Sequence, residues 1–197
     1  MNRFFAAALL ILLTPLLLLI FLLIIFIDRH QPIFLQKRVG IYGSYFNIFK
    51  FRTMRSRVGA YENQFDLEIY HYRMKEGVTT FGAILRKYSL DELPQLVNVV
   101  FGNMNFIGPR PLLPEQMRAI RGNYHKRFSC KPGITGLSQV MGRRNLSWIN
   151  QLRLDIFFVE KRSICLYLKI FFKTIFKIAS SEGVLPSRKK NWRHYID

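Results

Sequence analysis

The sequence predicts an α-rich α+β fold: an apolar N-terminal membrane helix, a small β-hairpin, and a compact cytoplasmic domain with amphipathic interface helices. Three observations carry this expectation. Phe4 to Ile27 run 24 residues without a charge, which at about 1.5 Å per residue is long enough to cross a bilayer. Residues 32–54 hold two short β-branched and aromatic runs around a glycine-containing turn, the signature of a hairpin. Further on, apolar residues recur at helical spacing in the stretches 146–160 and 164–179,.

Composition narrows the class. Of 197 residues, half are hydrophobic, and 30 Lys and Arg face 12 Asp and Glu for a net charge of +18. A chain this apolar and aromatic is not uniformly disordered. Residues 1–27 contain one charged side chain, Arg3, whereas residues 101–197 carry 18 basic and 5 acidic ones. So basic a chain calls for an anionic partner: nucleic acid, anionic lipid or a phosphorylated substrate. No recognised nucleic-acid motif accompanies the charge, so no nucleic-acid partner is expected. Two cysteines, Cys130 and Cys165, supply neither a disulfide framework nor a thiolate metal site. The expected organisation is a membrane segment at 1–29, a cytoplasmic domain at 30–180 and a basic tail at 181–197.

A cleaved signal peptide competes for the first segment. The apolar run is too long for a signal h-region, and Asp28, Arg29 and His30 follow it in place of a small-residue cleavage site,. Pro15, preceded by Thr14, sits near the middle. Proline removes one helical hydrogen bond and crowds the preceding turn. The Thr14 hydroxyl can satisfy a freed carbonyl inside a membrane. Thr14 and Pro15 therefore mark the expected break, and two courses stay open: a kinked spanning helix, or a dip into one leaflet and back. Both put the positively charged bulk in the cytoplasm.

The hairpin is expected from strands at 32–36 and 46–54 around Gly40 to Ser44. Residues two apart share a strand face, so Lys50 and Arg52 should point the same way, as a solvated face or as half of a phosphate clamp. Residues 55–80 lack a pattern and read as a loop with a helical piece. Helices are expected at 81–87 and 93–101, then a Gly102-Asn103 turn, then Gly108-Pro109-Arg110-Pro111. Two prolines around one arginine stiffen its backbone, which suits either an ordinary turn or an anion-binding loop. Lys131 to Gly136 and Gly142 to Asn145 place glycines beside basic residues, where a backbone can approach a phosphate. No Walker A loop or dinucleotide fingerprint occurs. In 146–160, Ile149, Leu152, Ile156 and Val159 share a helical face. In 164–179, Lys169, Lys173 and Lys177 oppose Leu168, Phe171, Ile175 and Ile178 with no acidic residue, which fits a helix in an anionic interface or a core-packed helix with a lysine edge. Arg188, Lys189, Lys190 and Arg193 make the tail basic.

Against this basic background Asp91 and Glu92 stand adjacent. Ser89 and Glu92 have the spacing of a capping box, but that start would put Pro94 inside the helix, against its geometry. A helix starting at Asp91 keeps Pro94 in the tolerated first turn. Two carboxylates there suit simple capping. They also suit chemistry in which one carboxylate attacks phosphorus while its neighbour helps hold Mg²⁺.

The runs LLTPLLLLI, FNIFKFRTM, YSLDELPQLVNVVFGNMNFIGPRPLL, KPGITGLSQVMGRRN and LDIFFV resemble the small monotopic phosphoglycosyltransferases of bacteria, the polyprenyl-phosphate sugar-phosphate transferases. They cover most of residues 10–160 in the family's order. The resemblance implies transfer of a sugar-1-phosphate from a UDP-sugar to undecaprenyl phosphate, with release of UMP. It implies a ping-pong course through a covalent aspartyl-phosphosugar, as the first step of a glycan assembly. It further implies Asp91 as nucleophile, Glu92 as the main Mg²⁺ contact with Asp91 beside it, and Arg110, between Pro109 and Pro111, as a phosphate-binding residue. Lys50, Arg52, Arg86 and Arg144 are further candidates for holding diphosphate or polyprenyl phosphate.

The family's helix-break-helix at a Ser-Pro pair implies a re-entrant course at Thr14-Pro15, with the bulk on the cytoplasmic face of a bacterial inner membrane containing anionic lipids. Departures from the family pattern are Thr14 for serine, exchanged basic residues at Arg52 and Lys131, Leu137-Ser138 for Trp-Ala, Met141 for Asn, and Tyr167 at an often acidic position. Asp155, within LDIFFV, either supports the site or is an exposed helix carboxylate. The alternative function is a non-catalytic, membrane-tethered basic scaffold binding anionic lipid; it leaves Asp91-Glu92 and the proline-flanked arginine without a role.

Overall fold

A computed structural model of the chain describes residues 2–55, 77–142 and 146–180. Arg144, most of the loop expected at 55–80 and the basic tail lie outside the described residues. Helix α1 spans Asn2–Leu23 and continues as a π-helical turn, Ile24–Asp28. Helical conformation runs through Thr14 and Pro15. The Thr14 hydroxyl donates to Leu10 O at 2.9 Å, one residue before the Ile11 carbonyl that Pro15 leaves without its helical donor.

One stripe of α1 rests on the rest of the chain. Ala6 packs with Ile48, Val99 and Met104, and the Phe5 and Phe106 rings meet edge to face. Ile20 and Ile24 pack with Phe51 and Leu85. Between these docked ends Ile11 and Leu12 are about three-quarters exposed, at 75% and 74%. At the exit, Thr79 donates its hydroxyl to Asp28 Oδ2 at 2.6 Å and accepts from Gly82 N–H, capping the next helix.

Strands β1 (Ile33–Val39) and β2 (Tyr45–Phe51) form an antiparallel hairpin with Phe34 opposite Lys50 and Arg38 opposite Phe46. The first strand runs three residues further than expected and the second stops three earlier. The connection is the whole of the expected turn, Gly40 to Ser44, and Tyr42 and Gly43 take positive φ within it,. Helix α2 (Thr80–Lys87) precedes a 3-10 turn, Leu90–Glu92, and then α3 (Gln95–Val100). Ser89 forms no capping box, in keeping with the objection from Pro94: it sits at φ 56° and its side chain does not cap the turn. The start expected at Asp91 is a 3-10 turn, and the α-helix itself begins at Gln95. Leu93 and Pro94 are right-handed helical, so Pro94 does fall at the helix entry,.

Beyond α3, strands β3 (Asn105–Ile107) and β4 (Gly133–Thr135) pair in parallel. Helices α4 (Pro114–Arg118), α5 (Leu137–Met141), α6 (Trp148–Glu160) and α7 (Ile164–Ser180) complete the domain. The buried face of α6 is Trp148, Leu152, Asp155 and Phe158. It is rotated from the expected one, of which only Leu152 is fully buried. Helix α7 buries Ile170 and anchors Thr174 to Thr135 at 2.8 Å. Leu168, Phe171, Phe172, Ile175, Phe176 and Ile178 remain exposed. Core packing therefore uses a narrow edge of α7, and its broad apolar face is left outward.

Candidate active site

The site forms where α3 is fastened to β2. Asn98, fully buried, uses both ends of its carboxamide: Nδ2 donates to Asn47 O at 2.8 Å, and Oδ1 accepts from Phe49 N–H at 3.0 Å. That pairing sets the turn before α3 against the strand residue that follows Phe49. Lys50 Nζ consequently lies 3.0 Å from Glu92 Oε1, and Arg110 Nη1 reaches the same oxygen at 3.3 Å. The Asp91 carboxylate has no ion pair among the described residues.

These surroundings set the two carboxyls apart. Burial pushes the Asp91 carboxyl up, the Glu92 charge adds to this, and Lys50, Arg86 and Arg110 oppose it, leaving Asp91 at about 6,. Burial also pushes the Glu92 carboxyl up, but Lys50 and Arg110 outweigh it and hold Glu92 at about 2. Burial lowers the Lys50 ammonium, with Glu92 opposing. Glu92 is thus an ionised anchor for two cations, and Asp91 is a carboxylate of raised basicity with no cation paired to it among the described residues. Such a carboxylate can serve chemically as a nucleophile or base.

The other expected residues divide. Arg86 donates from Nε to the Thr53 hydroxyl at 2.8 Å and acts electrostatically on Asp91. Arg52 lies one residue past the end of β2, and its backbone N–H still donates to Pro32 O at 2.7 Å. Its guanidinium lies 5.7 Å from the ring centroid of Phe34, the residue opposite Lys50, but its Nε donates to Gln31 O at 2.8 Å, whereas Lys50 reaches Glu92. Pro109 and Pro111 flank Arg110 through their carbonyls: Pro109 O accepts from Gly133 N–H at 3.0 Å and Pro111 O from Arg38 Nη1 at 3.2 Å. A narrow cleft beside the pair is lined by Arg38, Lys50, Gln95 and Arg110.

Asp155 is not an exposed helix carboxylate. It is 3% exposed, accepts from Arg127 Nη2 at 2.6 Å and Nε at 3.2 Å, and takes the Ser138 hydroxyl on its other oxygen at 2.8 Å. Arg38, Asn98 and Arg127 carry no sequence signal of their roles. Each acts through a backbone carbonyl or a residue far away in the chain, which leaves no local spacing to find.

The carboxylate pair thus lies between a basic hairpin strand and the proline-flanked arginine, in a chain that carries an apolar N-terminal helix. The match to the bacterial sugar transferase family model covers residues 1–181, and the chain belongs to that family. It is 38% identical to the uncharacterized sugar transferase EpsL of Bacillus subtilis over 154 residues, covering 78% of this chain and 73% of that protein. It is 40% identical over 153 residues to the UDP-glucose:undecaprenyl-phosphate glucose-1-phosphate transferase of Klebsiella pneumoniae, covering 74% of this chain and 32% of that one. The UDP-galactose-lipid carrier transferase of Erwinia amylovora is 35% identical over 167 residues, covering 79% and 35%. The chain thus matches about a third of the length of these last two relatives.

Proposed function

We propose that this chain moves a sugar-1-phosphate from a UDP-sugar to undecaprenyl phosphate, with Asp91 as nucleophile. The observation that carries this reading is the division of labour within the carboxylate pair. Asp91 has a raised pKa of about 6 and no ion pair among the described residues, while Glu92 one residue on is held ionised by Lys50 and Arg110. The sugar-phosphate chemistry and lipid acceptor are those named for the Klebsiella relative.

In the first step an Asp91 carboxylate oxygen attacks the sugar-bearing phosphorus. The P–O bond to the uridylate phosphate breaks, and UMP leaves with the bonding pair. In the second, a phosphate oxygen of undecaprenyl phosphate attacks the same phosphorus; the acyl-phosphate P–O bond breaks and Asp91 returns as a carboxylate. Lys50, Arg86 and Arg110 offset the charge that otherwise keeps a carboxylate away from a diphosphate.

Mg²⁺ is commonly held by one or two carboxylates together with substrate phosphates and waters. The pair fits that demand, since Lys50 and Arg110 both engage Oε1 of Glu92 and the Asp91 carboxylate has no ion pair among the described residues. Held by Glu92 and Asp91, the ion supplies charge neutralisation and polarisation of the diphosphate.

Residues 1–29 take the re-entrant course in this reading, at the cytoplasmic face of the inner membrane. Its support is that Ala6 and Ile24, near the two ends of the apolar segment, both pack on the same domain while Ile11 and Leu12 stay exposed. The outward apolar face of α7, flanked by Lys169, Lys173 and Lys177, then lies among anionic headgroups,.

The test is UMP release by detergent-solubilised protein given Mg²⁺ and a panel of UDP-sugars labelled in the sugar-bearing phosphate. Without lipid acceptor, one UMP per protein and label retained on the protein are expected; undecaprenyl phosphate should then discharge the label. UMP release that requires both substrates together, with no label on the protein, rejects the covalent route. No release from any donor by folded protein rejects the activity.

A further inference from the structure

Four consecutive carbonyls in the proline-flanked segment are held from four directions. Pro109 O accepts from Gly133 N–H at 3.0 Å, Arg110 O from Arg127 Nη2 at 2.9 Å, Pro111 O from Arg38 Nη1 at 3.2 Å, and Leu112 O from Val39 N–H at 2.9 Å. Prolines at 109 and 111 have no N–H, so anchoring at those positions falls to the carbonyls. At the central residue the anchor is a buried charge. Arg127 is 3% exposed, and its Nη2 lies 2.6 Å from Asp155 Oδ2 as well as 2.9 Å from Arg110 O. Asp155 in turn is oriented by the Ser138 hydroxyl at 2.8 Å.

A buried ion pair is weak evidence for stability, because well-packed apolar replacements often do as well. What this pair supplies that an apolar pair cannot is a charged donor at the Arg110 carbonyl. The Arg110 side chain is 44% exposed and reaches Glu92 Oε1 at 3.3 Å. A long arginine with so little packing takes its aim from where its own backbone is fixed, and small displacements at a reacting centre lower rates steeply.

We propose that Arg127, held by Asp155 and Ser138, is a positioning residue for Arg110: it fixes the peptide from which the Arg110 guanidinium reaches across to Glu92. This rests on Arg110 acting in the transfer reaction, so the test reads position and turnover separately.

The experiment compares the full-length wild type with Arg110→Ala, Arg127→Lys and the double variant Arg127→Met/Asp155→Leu, alone and combined with Arg110→Ala. The double variant removes both charges together, so neither is left buried without a partner. Arg127→Lys keeps the charge opposite Asp155 but loses the planar fork that serves two acceptors at once; it serves where the double variant does not fold. Turnover is followed as UMP release. Position is followed by the side-chain ¹⁵Nε–H signal of Arg110, assigned by its loss in Arg110→Ala.

The double variant should fold, lose roughly ten- to a hundredfold in kcat/KM, and move the Arg110 signal to the position of a free arginine. Adding Arg110→Ala should then lower turnover by less than about threefold, because both changes remove one function. An unmoved Arg110 signal in a folded variant, or losses that simply multiply, overturns the proposal. If Arg110→Ala alone leaves turnover unchanged while the signal still depends on Arg127, the positioning stands and the phosphate role of Arg110 falls.

Discussion

Lys50 and Glu92 form a 3.0 Å ion pair between β2 and the turn before α3, and the neighbouring carboxylate of Asp91 has no such pair among the described residues. Adjacent residues of nearly the same chemistry thereby acquire different properties. The cations that reach Glu92 outweigh its burial, whereas at Asp91 burial and the repulsion of its neighbour outweigh the opposing Lys50, Arg86 and Arg110. Placing two acids next to one another does not separate them; the position of Lys50 does.

Replacing Asp91 with asparagine keeps the shape and removes the attacking oxygen's charge. UMP release should fall by at least about a thousandfold, with no labelled protein formed. Near-normal UMP release by Asp91→Asn would remove Asp91 as nucleophile.

The raised Asp91 pKa also has a sign for stability. In the metal-free folded protein the carboxyl takes up its proton near pH 6, against an ordinary value of 3.8. Between these values the folded state binds more protons than the unfolded one, so Asp91 makes the protein less stable as pH rises from about 4 to 6, with no further loss above. An asparagine side chain at this position does not ionise and carries no such penalty. In EDTA, Asp91→Asn should melt higher than wild type at pH 7, and the gap should close as pH falls to 4. A gap that is constant across that range would show an Asp91 carboxyl that ionises normally.

Arg110 offers a charged donor to Glu92 and, in the proposed reaction, to a phosphate. Arg110→Ala should lower kcat/KM for the UDP-sugar at least tenfold. Unchanged kinetics would reduce the proline-flanked segment to a stiff turn.

Asn98 joins α3 to β2 through both ends of its carboxamide. Asn98→Leu keeps the volume but leaves the Phe49 N–H and the Asn47 carbonyl without their partner. A loss of about 1–3 kcal/mol is expected, seen as a melting temperature lower by several degrees in denaturation by circular dichroism. A melting temperature within a degree of wild type would mean that water or a shifted strand satisfies both groups.

The outward face of α7 can be read in lipid. A tryptophan placed at Phe172, which is 64% exposed, should be quenched in nanodiscs by brominated acyl chains beyond the background of Trp148 and Trp192. Absence of added quenching would place this face in water or against protein.

Local features carried much of the architecture. The uncharged run from Phe4 marks α1, the aromatic alternation marks the hairpin, and Pro94 marks the entry of α3, because each depends on residues close together in the chain. The parallel pairing of β3 with β4 joins Asn105 to Gly133, and two three-residue strands are too short to show a period. The buried face of α6 differs from the one apolar periodicity marks for a related reason. Periodicity counts apolar residues, and the face actually buried contains Asp155, whose charge is matched by Arg127 from 28 residues earlier.

By itself the sequence determined the kinds of chemistry on offer: an apolar anchor, a basic surface, two adjacent carboxylates and an arginine stiffened by prolines. Those are covalent facts, independent of how the chain folds. Only the tertiary structure decided which carboxylate is paired, that Lys50 turns to Glu92 while Arg52 turns to Gln31, and that Arg127 holds Arg110. Electrostatic and hydrogen-bond energies fall off over a few ångströms, and distances of that size between residues 17 to 42 positions apart exist only after folding.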